Sequence, residues 1–241
     1  IYFTKIPSCG ASCTFDLELE LRRYTIVGDA ATSNIVLFNS GRLPRRWELW
    51  NHNGGGRCFG NDKKLYLAVG YNESDPDVSN LDSYVGKILR LNNDGTAPVD
   101  NPFYNAKSSL INNSVYAYGF RNPFNMHVQF STGRIFATEV GSTTGAGREE
   151  INEIKPGKNY CYTDNEGYTS DNNYESPIYC YLTQDQGLTK VETINGCAIT
   201  GGGFVNASLT QYPDSLKDTY FFNDFCNGWI SYLDVSQTPA V

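Results

Sequence analysis

The sequence predicts an all-β fold built as a β-propeller. Tyrosine occurs 17 times, phenylalanine 13 times and glycine 23 times, whereas methionine occurs once, and this composition favours strands over helices. Helical periodicity is nearly absent, while short apolar runs alternate with turns of Gly, Asn, Asp and Pro. Many short strands with such turns are typical of sandwiches, barrels and propellers.

Strand-like segments follow one another along the whole chain. Even the best helix candidate, at 15–24, carries leucine at positions 17, 19 and 21, which is the period of a strand. The short apolar runs between turn residues predict strands at 1–4, 19–27, 35–38, 64–70, 87–91, 115–118, 127–130, 134–139, 150–154, 198–205, 219–224 and 228–234.

A weak internal repeat favours the propeller among these folds. Segments 61–67, 131–137 and 215–221 each place a polar turn before an aliphatic or aromatic strand, at the spacing of large propeller blades with insertions. Three to four blades cannot close a ring, so we expect that chain is missing at both ends or that partners supply the rest. Because no composition break marks a linker, residues 1–241 are predicted to form a single partial propeller domain.

The charge of the chain argues against two classes of partner. The net charge is −7, and no basic run is longer than a pair such as Arg22-Arg23 or Arg45-Arg46. A nucleic-acid-binding protein needs a basic face. The lack of clustered basic residues also removes electrostatic attraction to anionic lipid. No apolar run approaches the length of a bilayer span. Residue 1 is Ile and no signal peptide is present, so we expect a processed mature protein or a fragment.

Cysteines and sequons indicate an oxidising, secreted setting. Seven cysteines occur without C-x-x-C pairs or histidines at zinc spacing, so a metal cluster is not expected. Three N-x-S/T sequons make Asn72, Asn112 and Asn206 candidate glycosylation sites. The odd number of cysteines leaves one thiol free or bonded outside the chain, and Cys58, which alternates inward on a strand, is the candidate for that thiol.

His52 is the main candidate for acid–base chemistry. It is one of two histidines and stands between two asparagines, directly before three glycines. An imidazole at the mouth of a glycine-lined strand can act as a general base near neutral pH. The alternative is a polar turn whose histidine is merely hydrogen-bonded. The other histidine, His127, follows an apolar run and is predicted to be packed or at the rim.

A series of motifs adds a family resemblance. The Gly-Lys-Ile-Leu-Arg and Ala-Tyr-Gly-Phe-Arg-Asn-Pro segments are the most specific of them. In order, the motifs are Asn-His-Asn-Gly-Gly at 51–55, Leu-Tyr-Leu-Ala-Val-Gly at 65–70, Gly-Lys-Ile-Leu-Arg at 86–90, Asp-Asn-Pro-Phe at 100–103, Ala-Tyr-Gly-Phe-Arg-Asn-Pro at 117–123, Glu-Glu-Ile-Asn-Glu-Ile at 149–154, Gly-Lys-Asn-Tyr at 157–160, Cys-Ala-Ile-Thr-Gly-Gly at 197–202 and Asn-Asp-Phe-Cys-Asn-Gly at 223–228. This order, over essentially all of 1–235, resembles the glucose/sorbosone dehydrogenase family.

The resemblance implies a six-bladed β-propeller with a central pyrroloquinoline quinone (PQQ) and calcium, of which this chain covers about four blades. It implies that His52 is the general base for a sugar hydroxyl and that Arg121 and Asn122 contact the quinone. A guanidinium suits such a planar, acidic cofactor; the alternative is a structural arginine that ties two blades together. Gly141 and Ser142 match the residues whose carbonyls bind the calcium. Glu149 and Glu150 are expected in a turn or a structural salt bridge.

The sequence also departs from the sugar dehydrogenases that it resembles. Val140 stands where they have a cofactor-binding glutamine, Cys226 aligns near their cofactor-binding lysine, and their late arginines would lie beyond Val241. Fewer cationic partners should weaken the binding of a highly charged cofactor. A disulfide between Cys197 and Cys226 would join neighbouring strands of one blade. Cys9 with Cys13, and Cys161 with Cys180, could each close a loop. Spacing alone does not establish these pairings.

Two functions remain open. The first is a secreted quinoprotein that oxidises a sugar or polyol, on which Tyr160, Tyr162 and Tyr168 would stack if they are not ordinary core and loop residues. The second is a non-catalytic extracellular propeller that serves binding, adhesion or assembly, with a protein partner or by self-assembly. The same fold supports both.

Overall fold

The computed structural model describes residues 1–5, 18–41, 43, 52–72, 75–143, 147–183, 195–206, 208 and 211–236. In this part of the chain, the strands form four sheets. Neighbouring strands within each sheet follow one another along the chain, and every pairing but one is antiparallel. This is the meander of a propeller blade, so the prediction of about four blades is confirmed.

The first sheet contains one long hairpin. Its strands are β1 (Tyr2–Lys5), β2 (Glu18–Val27) and β3 (Ala30–Asn39), in that order. Gly28 has the left-handed φ of +59° that the tight turn between β2 and β3 requires. Only the part of β2 near Leu19 and Leu21 is buried, while the tip of the hairpin is exposed.

The second sheet has two fully buried central strands. It runs in the order β4 (Gly54–Phe59), β5 (Leu65–Val69), β6 (Lys87–Leu91) and β7 (Val115–Tyr118). All residues of β5 and β6 are buried, and the sequence of β5 is accordingly apolar throughout. The Lys87 ammonium is also buried and donates to the carbonyls of Asp77, Val78 and Val85 at 3.0, 2.6 and 2.7 Å.

Short helices interrupt the second sheet. Helix α1 (Asp75–Val78) lies between β5 and β6, and α2 (Leu110–Ser114) lies between β6 and β7. The Ser109 hydroxyl caps α2 by accepting from the Asn112 amide. The three carbonyls that Lys87 binds belong to α1 and the residues around it, so the lysine fixes this connection to the sheet.

The third and fourth sheets complete the described fold. The third has the order β12 (Asn195–Gly196), β11 (Tyr179–Thr183), β10 (Arg148–Glu153), β9 (Ile135–Glu139) and β8 (Pro123–Val128), with β11 and β12 parallel. The fourth has the order β13 (Ile199–Phe204), β14 (Tyr220–Asp224) and β15 (Ile230–Leu233).

Adjacent sheets meet through their first strands. Strand β4 packs against β8, and β13 packs against β8 and β9. Glycine permits the close approach at one contact, because a Cβ on Gly56 would lie 2.8 Å from the Met126 Cγ atom. Strands β4, β8 and β13, the first strands of the last three sheets, therefore lie along the inner side where these sheets meet.

Most predicted strands are confirmed, with boundaries shifted by a few residues. The repeat at 61–67, 131–137 and 215–221 marks β5, β9 and β14, which are the second strands of three sheets. The predicted strand at 127–130 instead begins earlier, at Pro123. Strands β4, β11 and β12 were not among the predicted segments, and β4 forms despite three glycines because it pairs with β5 and packs on β8.

Candidate functional site

His52 stands immediately before the inner strand β4. Its backbone has a left-handed φ of +60°, and its carbonyl accepts the Asn72 amide at 3.2 Å. The segment after β5 presses directly on this carbonyl, since a Cβ on Gly70 would lie 1.9 Å from the His52 oxygen. The half-buried imidazole lies 5.2 Å from the Tyr71 ring, centroid to centroid, at an interplanar angle of 35°.

Arg121 stands in the corresponding place before the inner strand β8. Its backbone amide donates to the Glu139 carboxylate. Its Nη1 donates to the carbonyls of Val140 at 2.9 Å and Gly141 at 2.6 Å. Only 7% of the residue is exposed, so its guanidinium is held by the end of β9 rather than by solvent.

Asn122 couples the second sheet to the third. Its Oδ1 accepts the Gly54 amide at 3.0 Å, two residues after His52. Its own carbonyl accepts the Val140 amide at 3.2 Å. The carboxamide therefore holds the start of β4 against the start of β8.

Tyr71 brings the predicted base and the predicted cofactor-binding arginine together. The Arg121 Cζ atom lies 5.7 Å from the centroid of the same Tyr71 ring that faces His52. Tyr162 packs edge-on against this ring at 5.1 Å. His52, Tyr71, Arg121 and Tyr162 thus form one cluster, which we call the Tyr71 cluster. Tyr71 has only a weak signal in the sequence, as an aromatic residue that follows a buried strand and one glycine.

One buried donor in the Tyr71 cluster has no partner among the described residues. The Nε–H group of Arg121 is fully enclosed and makes no hydrogen bond there. An unsatisfied buried N–H costs about 1–3 kcal/mol, and because it belongs to a cation it would favour an anionic acceptor. The arrangement can therefore bind a carboxylate or another oxyanion beside a potential proton acceptor.

The predicted calcium residues lie in the loop after β9. The Gly141 carbonyl accepts a hydrogen bond from Arg121. The Ser142 amide donates to the Glu166 carboxylate at 2.9 Å, and the Arg148 amide donates to the same carboxylate, also at 2.9 Å. Glu166 therefore fixes both ends of this loop.

Buried carboxylates surround that loop. Desolvation raises the pKa of Glu139 well above its usual value, and repulsion from Glu150 adds to the shift. Burial likewise raises the pKa of Glu150 to about 7. The Asn152 Nδ2 atom donates to both carboxylates, at 3.3 and 3.0 Å. This excess of buried negative charge would be stabilised by a proton or a cation.

Glu149 and Glu150 correct the expectation of a turn or a salt bridge. Both lie within strand β10 and are buried. Glu149 accepts from the Thr183 hydroxyl at 3.1 Å and from the Ile199 amide at 2.9 Å, so it joins the third and fourth sheets. Burial raises the pKa of Glu149 to about 7.

The predicted bridge between Cys197 and Cys226 is present. It joins the residues before β13 and after β14. Asp224 lies beside it and accepts the amides of Cys197 at 3.0 Å and Cys226 at 2.8 Å, and the Tyr181 hydroxyl at 2.9 Å. Cys197, Asp224 and Cys226 are the only metal-ligating side chains that converge in the described part of the chain. Because the two sulfurs are bonded to each other, this group offers no thiolate ligands.

Cys58 and Cys161 are not bridged in the described structure. Cys9 and Cys13 lie outside the described residues. Cys161 is a buried free thiol, so the candidate bridge to Cys180 is not formed. Cys58 is also a free thiol, as predicted, and burial raises its pKa to about 12, so it is a poor nucleophile at neutral pH.

The sequons occupy different environments. Asn72 is only 7% exposed and lies beside His52 with a φ of +48°. Asn112 lies in α2 and Asn206 follows β13, and both are partly exposed. Only these two have room for a glycan on the surface.

The remaining aromatic and histidine candidates are distributed through the fold. His127 packs near Phe204, and its Nδ1 lies 3.0 Å from the Val128 carbonyl, as expected of a packed histidine. Tyr160 is buried and stacks on Phe120, and Tyr168 is exposed. Of the three tyrosines proposed to stack on sugars, Tyr162 alone belongs to the Tyr71 cluster. Among the described residues, no helix is long and apolar enough to cross a membrane.

Two sugar dehydrogenases are similar to this chain in sequence. The quinoprotein glucose dehydrogenase B of Acinetobacter calcoaceticus is 28% identical over 212 residues, which cover 76% of this chain and 42% of that protein. An aldose sugar dehydrogenase of Escherichia coli is 36% identical over 110 residues, 46% of this chain and 28% of that protein. The chain thus spans less than half the length of either relative.

Solved structures share the fold. The soluble aldose sugar dehydrogenase of Escherichia coli, in its apo form, matches all of this chain and 65% of its own, with a TM-score of 0.75 and 22% identity. The PQQ-bound aldose sugar dehydrogenase of Streptomyces coelicolor matches 96% of this chain and 60% of its own, with a TM-score of 0.61 and 24% identity.

The family model named Glucose / Sorbosone dehydrogenase matches residues 16–237. This match includes every strand from β2 to β15 and the whole Tyr71 cluster. Together with the propeller-type sheets and the motifs around His52 and Arg121, it establishes that the chain belongs to the glucose/sorbosone dehydrogenase family.

Proposed function

We propose that this protein is a quinoprotein-type oxidoreductase that oxidises a hydroxyl group of a sugar or polyol with PQQ as the hydride acceptor. The observation that carries the proposal is the apposition of His52 and Arg121 on one tyrosine ring, at the entrances of two inner strands. A potential base and a buried cation with an unpartnered donor among the described residues are the two groups that such a reaction needs from the protein.

His52 would accept the proton of the reacting hydroxyl. The residue is half-buried rather than enclosed. Its main chain is held by the contacts of Asn72 and Gly70, so the ring is presented from a fixed point. A neutral imidazole so placed can serve as a general base near pH 7.

Arg121 would hold the anionic side of the cofactor. Its Nη1 is already committed to two carbonyls, while its buried Nε–H has no partner among the described residues. An acidic, planar quinone fits such a donor, and Asn122 lies beside it. When bound, PQQ supplies the two-electron acceptor for conversion of the hydroxyl to a carbonyl.

Calcium is proposed beside the Gly141 and Ser142 loop. Oxygen ligands suit this ion, and the buried carboxylates of Glu139 and Glu150 supply the negative charge that would favour it. The Gly141 carbonyl already accepts from Arg121, so the guanidinium and the cation would share this loop.

Reconstitution tests the proposal directly. The protein is loaded with PQQ and calcium, and dye reduction is followed with a panel of aldoses and polyols. We expect turnover in the wild type and a loss of about 100-fold or more in kcat/KM for His52→Gln, as is typical for removal of a general base. His127→Gln is the matched control and should retain activity. The absence of turnover in the loaded wild type, or full activity of His52→Gln, would contradict the proposal.

Location outside the cytoplasm forms part of the proposal. The Cys197–Cys226 disulfide supports it, because such bonds persist in oxidising compartments. The partly exposed sequons at Asn112 and Asn206 are compatible with it. Fractionation of the source cells, with the protein traced by antibody, should recover it outside the cytoplasm; a purely cytoplasmic pool would contradict this part.

A non-catalytic extracellular propeller is the second candidate. Two departures from the sugar dehydrogenases favour it: Val140 packs at the edge of the apolar cluster that contains Phe136 and Ile151, and Cys226 is consumed in a disulfide. Neither side chain can donate a hydrogen bond to a quinone in this state. Titration calorimetry that detects no PQQ binding to a folded protein, together with concentration-dependent assembly in sedimentation, would favour this function over the enzyme.

A further inference from the structure

Tyr71 occupies the only position in the described cluster that touches both proposed functional side chains. Its ring centroid lies 5.2 Å from that of His52 and 5.7 Å from the Arg121 Cζ atom. The residue is 6% exposed, so its ring is packed among neighbouring side chains. In the sequence, Tyr71 belongs to none of the candidate catalytic, cofactor-binding or metal-binding residues.

The main chain of Tyr71 and its neighbours makes the same two connections as the ring. The Tyr71 amide donates to the Arg121 carbonyl at 2.7 Å, and the next amide, of Asn72, donates to the His52 carbonyl at 3.2 Å. Gly70 precedes Tyr71 and lies so close to the His52 carbonyl that no larger residue fits. The segment 70–72 therefore fixes the distance between the start of β4 and the start of β8.

Tyr162 supports the far edge of the ring. It packs against Tyr71 at 5.1 Å and an angle of 71°, and its amide donates to the Gly119 carbonyl at 3.0 Å. Rotation of the Tyr71 side chain away from the cluster would displace Tyr162. Edge-to-face packing of this kind adds specific geometry to the burial of the rings.

We infer that Tyr71 is a positioning residue of this site, whose aromatic ring holds the His52 imidazole and the Arg121 guanidinium in their working arrangement. Both contacts on which the inference rests are made by the ring. This inference rests on the proposed function for its catalytic meaning, but the arrangement itself can be measured without turnover.

The ring also bears on the protonation of His52. The Tyr71 ring faces the imidazole, and the Arg121 guanidinium and the Tyr162 phenol both pack on that same ring. An aromatic ring attracts a cation, so it favours imidazolium, whereas the guanidinium disfavours it. Removal of the ring would leave the repulsion uncompensated.

Histidine NMR gives a test that needs no cofactor. The sequence holds only His52 and His127, so a histidine-labelled protein shows one reporter and one internal reference. We expect Tyr71→Leu to lower the pH midpoint of the His52 signals by about half a unit, the size of a cation–π attraction at a partly exposed site. Tyr71→Phe, which keeps the ring, should leave the midpoint unchanged, and His127 should be unaffected in both variants.

Kinetics of the PQQ- and calcium-loaded protein give the second readout. Tyr71→Leu should lower kcat by about tenfold or more with little change in KM, because the reacting groups are misaligned, whereas Tyr71→Phe should stay within about twofold of the wild type. Should the leucine variant fail to fold, Tyr71→Met replaces it with a side chain that adapts to the cavity.

Three results would overturn the inference: an unchanged His52 midpoint in Tyr71→Leu, equal effects of the leucine and phenylalanine variants, or a joint shift of both histidines that reveals a global change. A loaded wild type without turnover would instead overturn the proposed function, and the histidine titrations would still decide the role of Tyr71.

Discussion

Gly70→Ala is the sharpest test of how the fold supports the site. Gly70 follows the buried strand β5 and does not have a left-handed φ, so alanine faces no backbone penalty there. Its Cβ atom, however, would lie 1.9 Å from the His52 carbonyl oxygen and 2.8 Å from the Gly54 nitrogen. Both neighbours are main-chain atoms, so no side chain can rotate away to make room.

The expected cost follows from these contacts. To restore normal separations, the main chain near His52 or Gly70 must move by more than about 1 Å. Such a shift breaks the hydrogen bonds from Asn72 to the His52 carbonyl and from Gly86 to the Gly70 carbonyl, now 3.2 and 3.1 Å long. At about 1 kcal/mol for each bond and about 1–3 kcal/mol for overpacking, the free energy of unfolding should fall by about 3–5 kcal/mol.

Gly228→Ala is the matched control. Gly228 has a left-handed φ of +62°, and nothing lies within 4 Å of its ideal Cβ. Alanine there should cost only the backbone penalty, about 1 kcal/mol. Urea unfolding of both variants and the wild type, followed by circular dichroism, separates the steric cost from the conformational cost.

Activity provides the second comparison for Gly70→Ala. Displacement of His52 by about 1 Å should reduce turnover about 100-fold under conditions where the variant remains folded, whereas Gly228→Ala should retain turnover. The reasoning is refuted if the free energy of unfolding of Gly70→Ala lies within about 1 kcal/mol of the wild-type value and the variant keeps its activity.

Three further outcomes are expected. Replacement of Cys197 and Cys226 by alanine should lower the free energy of unfolding by about 3.6 kcal/mol, the loop-closure value for a separation of 29 residues; urea unfolding with and without reductant measures it. Burial lowers the pKa of Lys87 to about 7, so above that pH the unfolded chain binds more protons than the folded one. The free energy of unfolding should therefore rise by up to about 1.4 kcal/mol per pH unit between about pH 7 and 10.5. In unfolding curves, Lys87→Met should abolish this slope. After expression in a glycosylating host, mass spectrometry should find Asn72 unmodified, because it is buried, and glycan only at the other two sequons.

Strand positions were largely predictable because they depend on local pattern. The buried runs of β5 and β6 and the turns before them stand out in the sequence. Strand β4 was missed because three consecutive glycines weaken any strand preference. Its pairing with β5 and its close packing on β8 stabilise it, and these partners come from distant parts of the chain.

The candidate site residues come from sequence motifs, and the family resemblance implies that His52 and Arg121 meet at one central cofactor. A histidine before glycines and an Arg-Asn-Pro segment are visible in the sequence. Their proximity depends on the antiparallel meander, which sets the start of each first strand beside the end of the second strand. Tyr71 escaped notice because an aromatic residue after a buried strand is usually an ordinary core residue.

The order of apolar runs, turns and glycines was enough to predict the all-β fold and the approximate number of sheets, since these depend on local preferences and spacing, whereas the candidate site residues followed from the family resemblance of the motifs. The tertiary structure alone decided that His52 and Arg121 share the Tyr71 ring, that Arg121 binds the carbonyls after β9 and that Glu149 joins two sheets. Those contacts link segments far apart along the chain, and only the packing of whole sheets sets their distances.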